Sequence, residues 1–327
     1  MPNCSGLASF SHIVYNLNVT MEAPSLSEMN SGGVVPRRFE RRHMFGINIA
    51  GYIEVLKPLP SVLLGFIGFS AAFIAGGGGF SPRLALVFFT VLVASAGANG
   101  LTNYLDRNID ARMRRTCVRV LPSGAIHPAG KVLPLIFSLM ALGLGLAWYL
   151  HPYVFIADAA GTVVAATWRK KVTCVYPQGL LASCAPLFMG WLAVSQSLNW
   201  ELWLLCLLIA AWLPLHVWSV NISCRDDYLQ AGIHYFPINL AVKDSIKVLL
   251  ALSFVLYAVS LVLYFVGDFH WLYLVLANVL GIIMVAGAVR LVASHASGDA
   301  WKLYKLSSFP YLGILFLVMC LDIWLIK

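Results

Sequence analysis

Charge is scarce in this chain. Only 11% of its 327 residues are Asp, Glu, Lys or Arg, against about a quarter in a soluble globular protein. Hydrophobic residues make up 60%, and the mean hydropathy is +0.81. That balance excludes a water-soluble domain and a charge-rich disordered chain. Cysteine is never paired in sequence. Cys4, Cys117, Cys174, Cys184, Cys206, Cys224 and Cys320 stand singly with no CxxC, so neither a zinc site nor a disulfide framework is suggested. The first 36 residues hold no Lys or Arg, which argues against a transit peptide, and residues 1–45 contain no apolar run long enough for a signal sequence or a span. They read as a disordered cytoplasmic tail, followed by a membrane domain over 46–327.

What remains is mostly apolar runs. They cover approximately Pro58–Ala75, Leu84–Leu101, Val132–Leu150, Tyr153–Trp168, Gly179–Val194, Leu202–Val220, Val248–Val266, Trp271–Val289 and Tyr311–Ile326, each close to the roughly 20 residues that cross a hydrocarbon core. None alternates with period two, so the spans are helices. The expectation is an all-α integral membrane protein with nine transmembrane helices. The basic residues set its orientation. With the N-terminus inside, the cytoplasmic side collects Arg37 to Arg42, the arginines of 107–119, Lys131, Arg169 to Lys171, Arg225, Lys243, Lys247, Lys302 and Lys305, while the other side has only Arg83 and Lys327. This asymmetry predicts an inside N-terminus and an outside C-terminus. It also accounts for the net charge of +8 by topology rather than by a basic patch, so no nucleic-acid partner is expected.

Polarity gathers in one stretch, NGLTNYLDRNIDARMRRTCVRVLPSGAIHPAGK from Asn99 to Lys131. On a helix, Asn99, Asn103, Asp106 and Asp110, spaced by four, three and four, project from one narrow stripe. Two carboxylates one turn apart at a membrane surface suit a hard divalent cation such as Mg²⁺, which keeps some waters and bridges to phosphate oxygens. Arg112, Arg114, Arg115 and Arg119 follow, able to neutralise a diphosphate. The same pattern also describes an ordinary helix end with paired charges and no ligand. A second acidic patch, Arg225-Asp226-Asp227-Tyr228, follows the sixth span. Convergence of the two ends would place two carboxylate clusters across one diphosphate; taken alone, Asp226 and Asp227 read equally as solvated helix-end charges. His216 lies within the sixth span, as a hydrogen-bonded core residue or as a ligand or acid–base group. Asp158 lies clearly within a span and receives no role from the sequence. A transporter would place more ionisable groups at mid-membrane.

Four segments carry a resemblance: YIEVLKP at Tyr52 to Pro58, NYLDRNIDARMRRTCVRVLPSG at Asn103 to Gly124, APLFMGW at Ala185 to Trp191 and HVWSVNISCRDDYLQAGI at His216 to Ile233. Together they make the chain resemble the UbiA superfamily of intramembrane prenyltransferases and, within it, the protoheme IX farnesyltransferases or heme O synthases, over roughly residues 50–326. The resemblance implies a helix bundle around a central cavity, capped by cytoplasmic loops, in a bacterial or archaeal cell membrane. It implies Mg²⁺ and diphosphate on Asp106 and Asp110, joined by Asp226 and Asp227. Lys57, Arg115, Arg119, Lys170 and Arg225 become candidates for the diphosphate oxygens, Asn99 and Asn103 for the surrounding shell and His216 for the heme. The implied substrates are farnesyl diphosphate and protoheme, the implied partners heme A synthase or terminal oxidase assembly. The chain departs from the family pattern at Thr102, where Asn is usual, at Val120, where Pro is, and at Val175, where Asn is. Another acceptor, such as a quinone precursor, a chlorin or a lipid, and a non-enzymatic membrane protein are the other readings of the same residues.

Overall fold

Proline punctuates the apolar runs at the places where helices begin. A computed structural model describes residues 49–167 and 175–326, and in it Pro58, Pro82, Pro134 and Pro152 fall in the first two positions of their helices or just at the start. There the missing N–H costs nothing and the fixed φ is already helical. The tail over 1–45 and Lys170 lie outside the described residues.

Twelve α-helices follow in order: α1 Ile49–Val55, α2 Pro58–Ala75, α3 Pro82–Asp110, α4 Leu133–Leu150, α5 Pro152–Thr167, α6 Gln178–Leu192, α7 Trp200–Ser223, α8 Arg225–Gln230, α9 Val242–Val266, α10 Trp271–Ser294, α11 Ser297–Leu306 and α12 Ile314–Leu325. No strand interrupts them among the described residues. Among the described residues, seven helical segments are long and apolar enough to cross a membrane: α2, α3, Ala129–Leu150, α7, α9, α10 and the joined Ser297–Leu325. The helices α5 and α6 are apolar but shorter. Every apolar run of the sequence is thus a helix. The last differs in form: it starts at Ser297, well before Tyr311, and bends through a π-helical stretch at Ser307–Gly313 that contains Pro310. Proline removes one backbone donor and crowds the preceding turn, which is a sufficient cause of the bend.

The helices pack in sequence-neighbour pairs closed by longer-range contacts. α2 lies on α3 and α6, α5 on α6, α7 on α9, α9 on α10, and α12 on α2 and α10. Small residues let backbones meet. Gly190 of α6 sits so close to Gly68 of α2 that a methyl there would run into the Gly68 carbonyl, and Gly161 of α5 faces Ala185 of α6 in the same way. In lipid, where burying apolar side chains gains little, such close backbone approach is what holds helices together. Outward faces carry Phe89, Phe137, Trp148, Ile156, Phe265 and Trp324, all more than half exposed, as lipid contact requires.

Two charged residues at the end remote from Asp110 serve the fold. Asp322 of α12 is 0% exposed and accepts the backbone N–H groups of His270 at 2.6 Å and Tyr273 at 2.9 Å, with His270 Nδ1 at 3.3 Å. It caps α10 from another helix, filling donors that α10 cannot satisfy itself. Arg83 donates to the Leu150 carbonyl at 2.9 Å, closing the C-terminus of α4.

Candidate active site

Twenty-nine residues make α3 the longest single helix described, about 43 Å at 1.5 Å per residue. That exceeds a hydrocarbon core of about 30 Å, so the polar stretch continues the helix past the apolar part. The predicted stripe forms: Asn99, Asn103, Asp106 and Asp110 share one continuous helix that ends at Asp110. Asp106 is 8% exposed and Asp110 2%. Two buried carboxylates one turn apart repel each other unless cations attend them. Arg119 Nη1 supplies one positive charge, donating to Asp110 Oδ2 at 3.1 Å.

The stripe is anchored from its polar flank. Asn99 Nδ2 donates to Ser61 Oγ at 3.1 Å, and Asn103 Nδ2 to the Val55 carbonyl at 2.7 Å. Both amides therefore tie α3 to the α1–α2 corner. At that corner Lys57 occupies the left-handed region with φ 50° as it caps α2. Glu54 Oε1 accepts the Val120 N–H at 3.3 Å, and Thr116 Oγ1 donates to the Asp110 carbonyl at 2.9 Å. These contacts fold the arginine-rich segment back over the end of α3.

The two acidic motifs are joined. Asp227 Oδ2 accepts the backbone N–H of Arg115 at 3.0 Å, and beneath that bond Met113 packs with Tyr228, Ala231, Ile233 and Ile238. The apolar cluster fixes the segment after α3 against the segment around α8. Asp226, by contrast, is exposed. Arg225 turns away, its Nε on the Ile238 carbonyl at 3.1 Å and its Nη2 near the Leu240 carbonyl at 3.4 Å. The Arg115 Nε is buried without a hydrogen-bond partner. Burial opposes the charge of Arg115, but Tyr228, Cys224, Tyr304 and Asp110 around it outweigh that and raise its pKa above the ordinary arginine value, so it stays cationic. A buried guanidinium donor with nothing to donate to is suited to an anionic oxygen.

The donor set also fits Mg²⁺. Two buried carboxylates provide hard oxygens, and among the described residues no three His, Cys, Asp or Glu side chains gather closely enough to cage a metal. Water and substrate oxygens would complete such a shell, as they commonly do for this ion.

His216 stacks on Trp212 and packs at a tilt against Tyr304, both ring centroids 4.7 Å away, and its Nδ1 lies 2.9 Å from Ser307 Oγ. It does not join the carboxylate stripe. Sequence reasoning missed Ser61, Glu54, Thr116 and Met113. A Ser, Glu, Thr or Met in isolation carries no signal; only folding brings these to the stripe. Below the stripe, Asn99 and Thr102 line a cavity of about 190 Å³ together with Asp158, Thr162 and Ser183.

A polytopic helical membrane protein with buried paired carboxylates, cationic side chains and a cavity of mixed polarity between its helices defines an intramembrane enzyme class acting on diphosphates. Comparison with known proteins narrows this. The sequence pattern of the UbiA prenyltransferase family matches residues 62–309, and the chain belongs to that family. It is 34% identical to the protoheme IX farnesyltransferase of Desulforudis audaxviator, over 84% of this chain and 88% of that one. It is 33% identical to the protoheme IX farnesyltransferase of Gloeobacter violaceus, over 83% and 91%. Solved structures share the fold. One concerns digeranylgeranylglyceryl phosphate synthase, with TM-score 0.67, 19% identity and coverage of 84% of this chain and 98% of that one. Another is a UbiA homolog from Archaeoglobus fulgidus bound to GPP and Mg²⁺, with TM-score 0.57, 14% identity and coverage of 82% and 99%.

Proposed function

We propose that the chain transfers the farnesyl group of farnesyl diphosphate to a vinyl group of protoheme IX within the membrane. The observation that carries this reading is the buried pair Asp106 and Asp110, roofed by the Arg115–Asp227 bond and cationic Arg115 and Arg119. The acceptor follows from the similarity to protoheme IX farnesyltransferases over most of the chain.

In this reading the diphosphate lies over the end of α3. Arg115, through its unpaired Nε, and Arg119 hold its oxygens, with Lys57 and Lys170 as further cations. Asp106 and Asp110, with Asp226 and Asp227 as further carboxylates, would hold Mg²⁺, which would supply charge to stabilise the leaving pyrophosphate. The cationic side chains do the same directly, so the allylic C–O bond ionises. The apolar part of the cavity lining, Leu64, Ala94 and Met189 among it, keeps bulk water from the farnesyl cation until the acceptor's vinyl carbon attacks. His216, with its Nδ1 beside Ser307 Oγ, is the candidate heme contact. Asn99 and Asn103 position the stripe.

Nine spans with the N-terminus inside fit the basic residues: Arg107 to Arg119, Arg225 and Lys243 fall at the Asp110 end, and Arg83 at the other. The shorter α5 and α6 complete the nine, the motif loops face the cytoplasm, and the membrane is a bacterial or archaeal cell membrane. Product passes to heme A synthase or to terminal oxidase assembly. The test is an acceptor competition with purified protein in detergent, offering protoheme and a quinone precursor with farnesyl diphosphate and Mg²⁺. Mass spectrometry should find farnesylated porphyrin in excess; a farnesylated quinone precursor alone would overturn the acceptor.

A further inference from the structure

Asp158 is the one carboxylate of the polar cavity beneath the stripe. It lies midway along α5 and is 5% exposed. Among the described residues its one hydrogen bond is a long one, from Thr162 Oγ1 at 3.4 Å. No cation pairs with it there. An ionisable residue at mid-membrane is costly and signals use. Polar neighbours share the cavity with it: Ser95, Asn99, Thr102, Thr162 and Ser183 line it too. About 190 Å³ holds several waters at about 30 Å³ each, and hydroxyl and amide partners are what a buried water needs. The rest of the lining is apolar, with Leu64, Pro186 and Met189 as its larger members.

Depth places this cavity below the diphosphate. Asn99 precedes Asp106 by seven residues, about 10 Å along the helix. Chemistry then requires a base at that level. When the farnesyl C–O bond breaks, its electron pair leaves with pyrophosphate. The vinyl π pair forms the new C–C bond and leaves a cation on the carbon next to the porphyrin ring. That cation must either add water or lose a proton to become an alkene, and adding water releases a proton that a base must take.

We propose that Asp158 is the catalytic base of this last step, activating a water held in its cavity. The water oxygen lone pair forms the C–O bond, one water proton passes to an Asp158 carboxylate oxygen, and the product is an alcohol with neutral Asp158, which returns its proton to solvent. Thr162 orients the carboxylate. Thr102, where the resembled family pattern has Asn, lines the same cavity, its Oγ1 donating to the Asn99 carbonyl at 2.9 Å. This proposal rests on the farnesyl-to-protoheme reading.

The test compares wild type, Asp158→Asn and Asp158→Glu with farnesyl diphosphate, protoheme and Mg²⁺, reading pyrophosphate release and product mass in parallel. Asp158→Asn is expected to keep pyrophosphate release within about threefold. Its ratio of water-added product to the alkene lighter by one water should fall about a hundredfold, the usual contribution of a general base. Asp158→Glu should restore much of that ratio. An unchanged ratio in Asp158→Asn overturns the role of Asp158. So does a loss of pyrophosphate release that Asp158→Glu fails to restore, since that places the residue in folding or binding. A wild type that releases pyrophosphate but makes no farnesylated porphyrin overturns the underlying reading instead.

Discussion

Adding one methyl at Gly190 tests whether close helix approach shapes the catalytic cavity. A Cβ at Gly190 would fall on the Gly68 carbonyl oxygen, with the Gly68 carbonyl carbon at 2.8 Å and Cα at 3.0 Å. Ordinary contact begins near 3.4 Å, and the obstacle is backbone, which no rotamer change relieves. α2 and α6 must therefore separate by on the order of 1 Å along their crossing. Overpacking of this kind costs about 3 kcal/mol, which corresponds to a fall of roughly 4 °C in thermal midpoint for a chain of this size. The same shift moves Leu64 of α2 and Pro186 and Met189 of α6, which line the cavity, so turnover at a permissive temperature should also fall about tenfold, a misplacement effect. The assay is thermal denaturation in detergent beside turnover, with Gly145→Ala as control, since nothing lies within 4 Å of a Cβ there. A Gly190→Ala protein melting with the Gly145→Ala control would refute the argument that this contact sets the helix spacing.

Other substitutions separate catalysis from architecture. Asp106→Asn and Asp110→Asn should each lower kcat about a thousandfold by removing charge that steadies the leaving group, measured as pyrophosphate release with folding checked by thermal melt. Asp227→Ala removes the acceptor of the Arg115 N–H and should raise the KM for farnesyl diphosphate about tenfold, the worth of one charge-assisted hydrogen bond, with little effect on melting. Asp322→Leu leaves the His270 and Tyr273 N–H groups buried and unfilled and should destabilise the protein by about 2–4 kcal/mol, with kcat per folded molecule unchanged.

Much of this architecture is readable from local pattern. The apolar runs became helices because lipid leaves backbone groups no other partners, and the α3 stripe was readable because four polar residues at helical spacing interrupt no other periodicity. Arg83 and the arginines of 107–119 lie at opposite ends of α3, as the charge asymmetry implies. Contacts between distant segments were not readable. Asn99 and Asn103 were expected around the ligand, yet their amide donors bind Ser61 and Val55. Arg225 was expected on diphosphate oxygens, yet it donates to loop carbonyls. The capping of α10 by Asp322 depends on α12 folding back beside it. The start of the last helix at Ser297 escaped hydropathy because Asp299, Lys302 and Lys305 break the run while still favouring a helix: Lys302 and Asp299 pair at i, i+3.

The most direct measurement is the stoichiometry of pyrophosphate released to farnesylated porphyrin formed, across a Mg²⁺ titration, for wild type and the Asp106→Asn/Asp110→Asn double variant. The account predicts equal amounts in wild type, rising together with Mg²⁺ and abolished by chelation, and neither product in the double variant. Farnesylated porphyrin formed at an undiminished rate by the double variant, or in excess chelator, would contradict it.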